Sequence, residues 1–299
     1  MADQSFVSPV GGVQPPRRRR PLLPGVFRAG RRNTGLYIGL AIVAVYVFVA
    51  IFAPLVAPYP PNQQNPSAVL QNPSIHHLLG TDQLGRDVFS RILYGARIDL
   101  LIALCGSILA CIIGTIIGIV SGYRGGWVDA VLTRLMDMSQ TIPFLVFAPV
   151  LLLVVGPSVK GVILAFALSD WTTYARLSRS KSFVLRDLDF ISAARLGGVR
   201  PTRILRRHML PNVVNDLMVF LTVDIVMQIA SIAALGYMGI GVQPPTAEWG
   251  QIMYEGQQFL TTKWWIVVAP GVAIVVLGIG LALISDALLA RQQQRQRGA

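Results

Sequence analysis

The sequence predicts an all-α membrane protein with six transmembrane helices and both termini in the cytoplasm. Three observations carry this: composition, recurring apolar stretches, and an uneven placement of Lys and Arg. Of 299 residues, 53% are hydrophobic and 13% are charged, against about 25% charged in a soluble domain. So few charges cannot cover the surfaces of soluble domains, and a soluble reading is excluded.

A spanning helix needs about 20 apolar residues at 1.5 Å each to cross roughly 30 Å of hydrocarbon. Residues 36–56, 100–120, 138–159 and 264–285 meet this without a charge. Two weaker stretches lie between the third and fourth: 161–175, interrupted by Asp170, and 213–235, which carries Asp216 and Asp224.

Six crossings put both ends on one side, and the basic residues say which. With the N-terminus inside, the inner segments hold seven Lys/Arg before residue 36, two at Arg124 and Arg134, nine from Arg176 to Arg207, and three after residue 290. The outer segments hold Arg86, Arg91, Arg97, Lys160 and Lys263. That is 21 inside against 5 outside, and it accounts for the net charge of +12 without nucleic acid.

Residues 1–35 read as a basic flexible tail, with seven Arg and several Pro, that orients the first span and touches lipid headgroups. The first span is expected to be retained, since no small-residue cleavage site follows it. The 57–97 segment is the longest outer loop, irregular through its Pro, Asn and Gln residues. From Asp87, DVFSRILYGARI predicts a short amphipathic helix at the outer surface. Gly114, Gly118 and Gly122 recur every fourth residue, the spacing that lets two helix backbones approach. Pro143, Pro149 and Pro270 interrupt apolar helices. The outer GVQPPTAEWGQ loop should be partly rigid, with Trp249 suited to the membrane interface. Residues 286–299 form a cytoplasmic C-terminal tail.

Chemistry is sparse. A phosphate-cradling GxxxxGK[ST] loop is absent, because none of Lys160, Lys181 and Lys263 follows a glycine. Any ATP must therefore be handled by another chain. His76 and His77 are adjacent, so their rings diverge, and no catalytic set or metal site is predicted. Cys105 and Cys111 offer neither a disulfide framework nor a CxxC site.

The informative segment is 176–212. Asp187 and Asp189 suit the N-terminus of a short helix over 189–196. Gly197 and Gly198 permit the positive φ of its end, and Pro201 opens a second helix ending toward Leu210 and Pro211. The product is a helix-turn-helix on the inner face, with Ala193 and Ala194 exposed beside Ile191 and Leu196. A soluble partner with an acidic surface could dock there. Within the membrane, Asp224 and Gln228 are four apart, share a helical face and are predicted to line a substrate path. Asp216 is roughly in line with them. An Asp hydrogen-bonded to a neighbouring helix is the structural alternative.

The order Ala193, Ala194, Gly198, Leu210, Pro211 resembles the EAA loop of bacterial ABC importer permeases. LGTDQLGRDVFSRILYGARIDL (79–100) and LGYMGIGVQPPTAEWGQ (235–251) resemble the C-type subunit of the dipeptide, oligopeptide and nickel branch. The likeness covers about residues 36–285. Ser192 stands where the family has Glu, His208 where the general pattern has Ile, and ISDALLARQQQRQ replaces the family's GDxLRDxLDP-like end.

The resemblance implies a type I importer permease in the bacterial inner membrane, a non-catalytic subunit whose EAA loop supplies the coupling helix. Asp189, Ser192, Ala193, Ala194, Arg195, Gly198, Leu210 and Pro211 would then meet the ATPase. It implies a second permease subunit as heterodimer partner, two ATP-binding subunits carrying ATP and Mg, and an extracellular substrate-binding protein. Dipeptides or oligopeptides are the implied substrates, with nickel or another small solute as the alternative. An ion-coupled secondary transporter predicts inverted repeats, which the sequence lacks.

Overall fold

A computed structural model describes residues 29–297; most of the basic tail expected over 1–35 lies outside the described residues. The long helices are α1 (Ala29–Val56), α2 (Val88–Arg124), α5 (Val159–Leu185), α8 (Leu210–Tyr237) and α10 (Trp265–Arg297). Shorter ones are α3 (Gly126–Gln140), α4 (Phe144–Val155), α6 (Asp189–Leu196), α7 (Pro201–Ile204) and α9 (Trp249–Gly256).

Four helices among the described residues are long and apolar enough to cross a membrane, or five if the bent α3–α4 pair is one span. On length and composition alone this is one or two short of the expected six. The predicted third span breaks at Pro143, which has no N–H to continue the ladder from α3, and the two halves meet at 90°. The predicted fourth, α5, has the length but carries Asp170, Arg176, Arg179 and Lys181.

Glycines set the helix pairing. A Cβ on Gly114, Gly118 or Gly122 would collide with the α5 backbone at Trp171, Ala175 and Arg179 respectively. The predicted close approach is therefore between α2 and α5, which run parallel. Gly39 meets the carbonyl of Gly280, and Tyr46 donates to the Ala273 carbonyl at 2.8 Å. Helices α1 and α10 are thus antiparallel, and both described ends of the chain lie at the same end of the bundle. In lipid such contacts rest on van der Waals packing rather than on the hydrophobic effect. The sides turned away are apolar and exposed, as at Leu55, Leu153 and Val154.

Two further expectations change. The segment from Asp87 is no separate surface helix: Asp87 caps α2 by accepting from Ser90 N, and the helix runs unbroken to Arg124. The second helix of the helix-turn-helix does not stop at Pro211. It passes through a π-helical turn at Leu205–Met209 into α8. A π turn widens the ladder just where the Pro211 ring would strike the carbonyl of Arg207. The Asn212 side chain donates to the His208 carbonyl at 2.7 Å. The expected C-terminal tail continues α10 as helix to Arg297.

Candidate functional site

Three places concentrate chemistry. The first is the helix-turn-helix. Gly198 adopts φ +73°, and Gly197 N and Val199 N bond back to the carbonyls of Ala193 and Ala194. Ile191 and Ile204 are buried in a cluster with Met209, Val213 and Leu217, which fixes the elbow to the bundle. Ala193, Arg195, Leu196, Gly198 and Asp189 are exposed and Ser192 is half-buried. Ala194 was expected to be exposed; it turns inward and packs on the same cluster, because α6 rests on that side. Leu196 is 91% exposed. The Arg195 guanidinium lies 4.7 Å from the Tyr123 ring. Leu210 is half-buried at the root of α8, and Pro211 is exposed.

The second place is inside the bundle. Asp224 and Gln228 share one face of α8 as predicted, and both are buried. Tyr174 donates to Asp224 at 2.8 Å, and the Gln228 amide donates to Asp224 at 3.0 Å and to Asp170 at 3.1 Å. The Gln228 Oε1 atom has no hydrogen-bond partner and faces Gly106. Asp216 is drawn away from this group, to Lys181 at 2.8 Å. Sequence reasoning left Asp170 and Tyr174 out of the site. Their signal was available: they too are four apart, on one face of α5.

The third place is at the opposite end from the elbow, and sequence reasoning missed it. Arg86 pairs with Asp82 at 2.6 Å and with Glu255 at 2.5 Å. Arg91 pairs with the same two carboxylates at 2.7 and 3.0 Å. Asp82, Arg86 and Arg91 are buried. They bind the LGTDQLGRD segment to α9. Trp249 is buried rather than interfacial, because its indole donates to the Ile92 carbonyl at 2.9 Å and packs against Gly95. Glu248 caps α9, accepting from Gly250 N at 2.6 Å and Gln251 N at 2.8 Å. Burial pushes its carboxyl up to about 7, opposed in part by those two donors. His77 contacts Asp87 at 2.9 Å. Among the described residues no cluster of three or more His, Cys, Asp or Glu could hold a metal.

Residues 114–298, more than half the chain, match the family described as binding-protein-dependent transport system inner membrane component. The chain belongs to that family. Residues 25–73 also match the N-terminal transmembrane domain of oligopeptide transport permease C. The chain is 36% identical over 262 residues to the dipeptide transport system permease protein DppC of Alkalihalophilus pseudofirmus, covering 88% of this chain and 86% of the relative. It is 38% identical over 264 residues to DppC of Escherichia coli K12, covering 86% and 88%. A chain of the MetNI methionine ABC transporter, solved in inward-facing form, matches the fold with a TM-score of 0.54 at 18% identity, over 67% of this chain and 95% of that one. As a member of this family the chain is an inner-membrane permease component of an ABC importer and not an enzyme. Its family implies partnership with ATPases and a binding protein.

Proposed function

We propose that this permease carries dipeptides or oligopeptides inward, and that the exposed side of α6 is where ATPase subunits grip it. The reading rests above all on the identity with dipeptide permeases along nearly the whole chain. Six crossings, with α3–α4 as the third and α5 as the fourth, are favoured by the parallel contact of α2 and α5: the chain between two parallel neighbours must return once across the bundle. The basic elbow then lies in the cytoplasm, together with both termini.

In this scheme Asp189, Ser192, Ala193, Arg195, Leu196 and Gly198 meet the ATPase. Ala194, Leu210 and Pro211 hold the elbow in shape. Two ATP-binding subunits bind ATP and Mg, a second homologous permease completes the pathway, and a binding protein delivers substrate at the outer end. Asp224 and Gln228 supply polarity to the path.

The test is uptake of labelled dipeptide by the complete importer in proteoliposomes, with Ala193→Glu as the variant. The expected result is continued ATP hydrolysis with uptake abolished. Normal uptake by the variant overturns the docking assignment, and uptake of labelled nickel in place of dipeptide overturns the substrate.

A further inference from the structure

The cytoplasmic ends of α2 and α7 enclose two adjoining hollows that share Thr202 and Arg206. One, of about 570 Å³, is lined by Arg203, Arg206, Arg207 and Pro211. The other, of about 200 Å³, is aliphatic, walled by Ile116, Ile119, Leu205 and Leu210. A row of guanidiniums thus stands at the mouth of an apolar trough.

These arginines differ from those upstream of the elbow. Arg176, Arg179 and Arg186 each pair with an Asp. Between Asp189 and Asp216 the sequence contains no acidic residue. Arg203, Arg206 and Arg207 are exposed, and among the described residues they face no carboxylate.

The trough is also at a definite depth. Ile116 and Ile119 precede Arg124, the last residue of α2, by five to eight positions, which is about 8–12 Å along a helix. In the proposed topology this end of α2 faces the cytoplasm, which puts the trough toward the inner leaflet. Ile116 is 60% exposed and Ile112 51% exposed, and at helical spacing they continue the trough toward the bilayer centre.

We propose that this is a binding site for an anionic phospholipid of the inner leaflet. The phosphate is held by Arg206 with Arg203 or Arg207 and the Thr202 hydroxyl, and one acyl chain lies over Ile119, Leu205 and Ile116. Charge-assisted hydrogen bonds from guanidinium to phosphate and burial of methylenes act on one molecule together. An acidic protein segment would satisfy the arginines and leave the aliphatic trough unfilled. A larger apolar hollow between α5 and α8 lacks this combination, because its Lys181 is engaged by Asp216.

The proposal rests on the cytoplasmic placement of the elbow. Labelling of Arg200→Cys from each side of the membrane reads that placement separately from lipid binding. The site is tested by native mass spectrometry of the purified importer exposed to phosphatidylglycerol or phosphatidylcholine. The wild type is expected to retain phosphatidylglycerol about tenfold over phosphatidylcholine, and R206Q/R207Q to lose about tenfold of that retention. Arg206→Lys keeps most of it, and Arg200→Gln, outside both hollows, keeps all of it. Leu205→Trp, which fills the trough without touching charge, loses it. Equal retention by R206Q/R207Q and wild type overturns the proposal, as does equal binding of the two lipids. Loss of the ATPase subunits from R206Q/R207Q with phosphatidylglycerol retained assigns the arginines to a protein contact and overturns it as well.

Discussion

Tyr174 on α5 donates its phenolic hydrogen to Asp224 on α8 across 2.8 Å, where both side chains are buried. Together with the Gln228–Asp170 bond and the Lys181–Asp216 pair, it fixes the rotation of α5 against α8. Tyr174→Phe should cost about 0.6–2 kcal/mol of stability, the range for hydrogen bonds between helices in membranes. The loss is read as a lowered unfolding midpoint in detergent. Asp224→Asn keeps the donor from Tyr174 satisfied and should lower that midpoint less, while changing transport if the carboxylate attracts substrate.

Gly118 faces the Ala175 carbonyl across the α2–α5 contact. Gly118→Leu must push two backbones apart, since a carbonyl cannot rotate aside as a side chain can. The variant should fail to accumulate as folded protein. Gly271→Ala meets its nearest atom, in Met253, only at 4.0 Å, and should accumulate normally. Membrane yield after gel filtration separates the two.

At the other end of the bundle, Arg91 neutralises Asp82 and Glu255 together. Arg91→Met leaves the buried Asp82 and the half-buried Glu255 sharing Arg86 alone. Breaking a buried pair in this way costs about 3–5 kcal/mol. The damage should be local first, with protease cleavage in 57–87 appearing under conditions where the wild type resists.

The Glu248 carboxyl gives a pH signature. Its folded pKa of about 7 lies above the ordinary 4.5, so between these values the folded chain binds more protons than the unfolded one. Its contribution to stability is then greatest below about pH 4.5 and is lost as pH rises through about 7. Glu248→Gln should flatten the dependence of the unfolding midpoint between about pH 5 and about pH 8. An unchanged slope would remove Glu248 as its source.

Much of the architecture could be read from the chain because membrane crossing leaves a coarse trace: long apolar runs and the four-residue glycine spacing of Gly114, Gly118 and Gly122. The bend at Pro143 and the π turn before Pro211 could not be read, because a proline says that the ladder changes without saying whether the helix stops, bends or widens. The pair Asp224 and Gln228 was visible as a local spacing. Its partners Asp170 and Tyr174 lie 50 or more residues away, and their meeting depends on how α5 and α8 are rotated. The Arg86, Arg91 and Glu255 network was hidden for the same reason: Glu255 lies more than 160 residues from both arginines, and they meet only once α9 folds over them.

The continuity from Pro201 to Tyr237 has a mechanical consequence. At 37 residues this rod is about 55 Å long, and beyond the π turn at Leu205–Met209 it runs as one α-helix to Tyr237. Its inner end is anchored by Ile204, its middle carries Asp224, and at its far end Gly236 abuts Glu248 and Gly250. A push of a few ångströms on the elbow should therefore reach the acidic cap at the opposite end of the bundle, as with a crankshaft turned from one end.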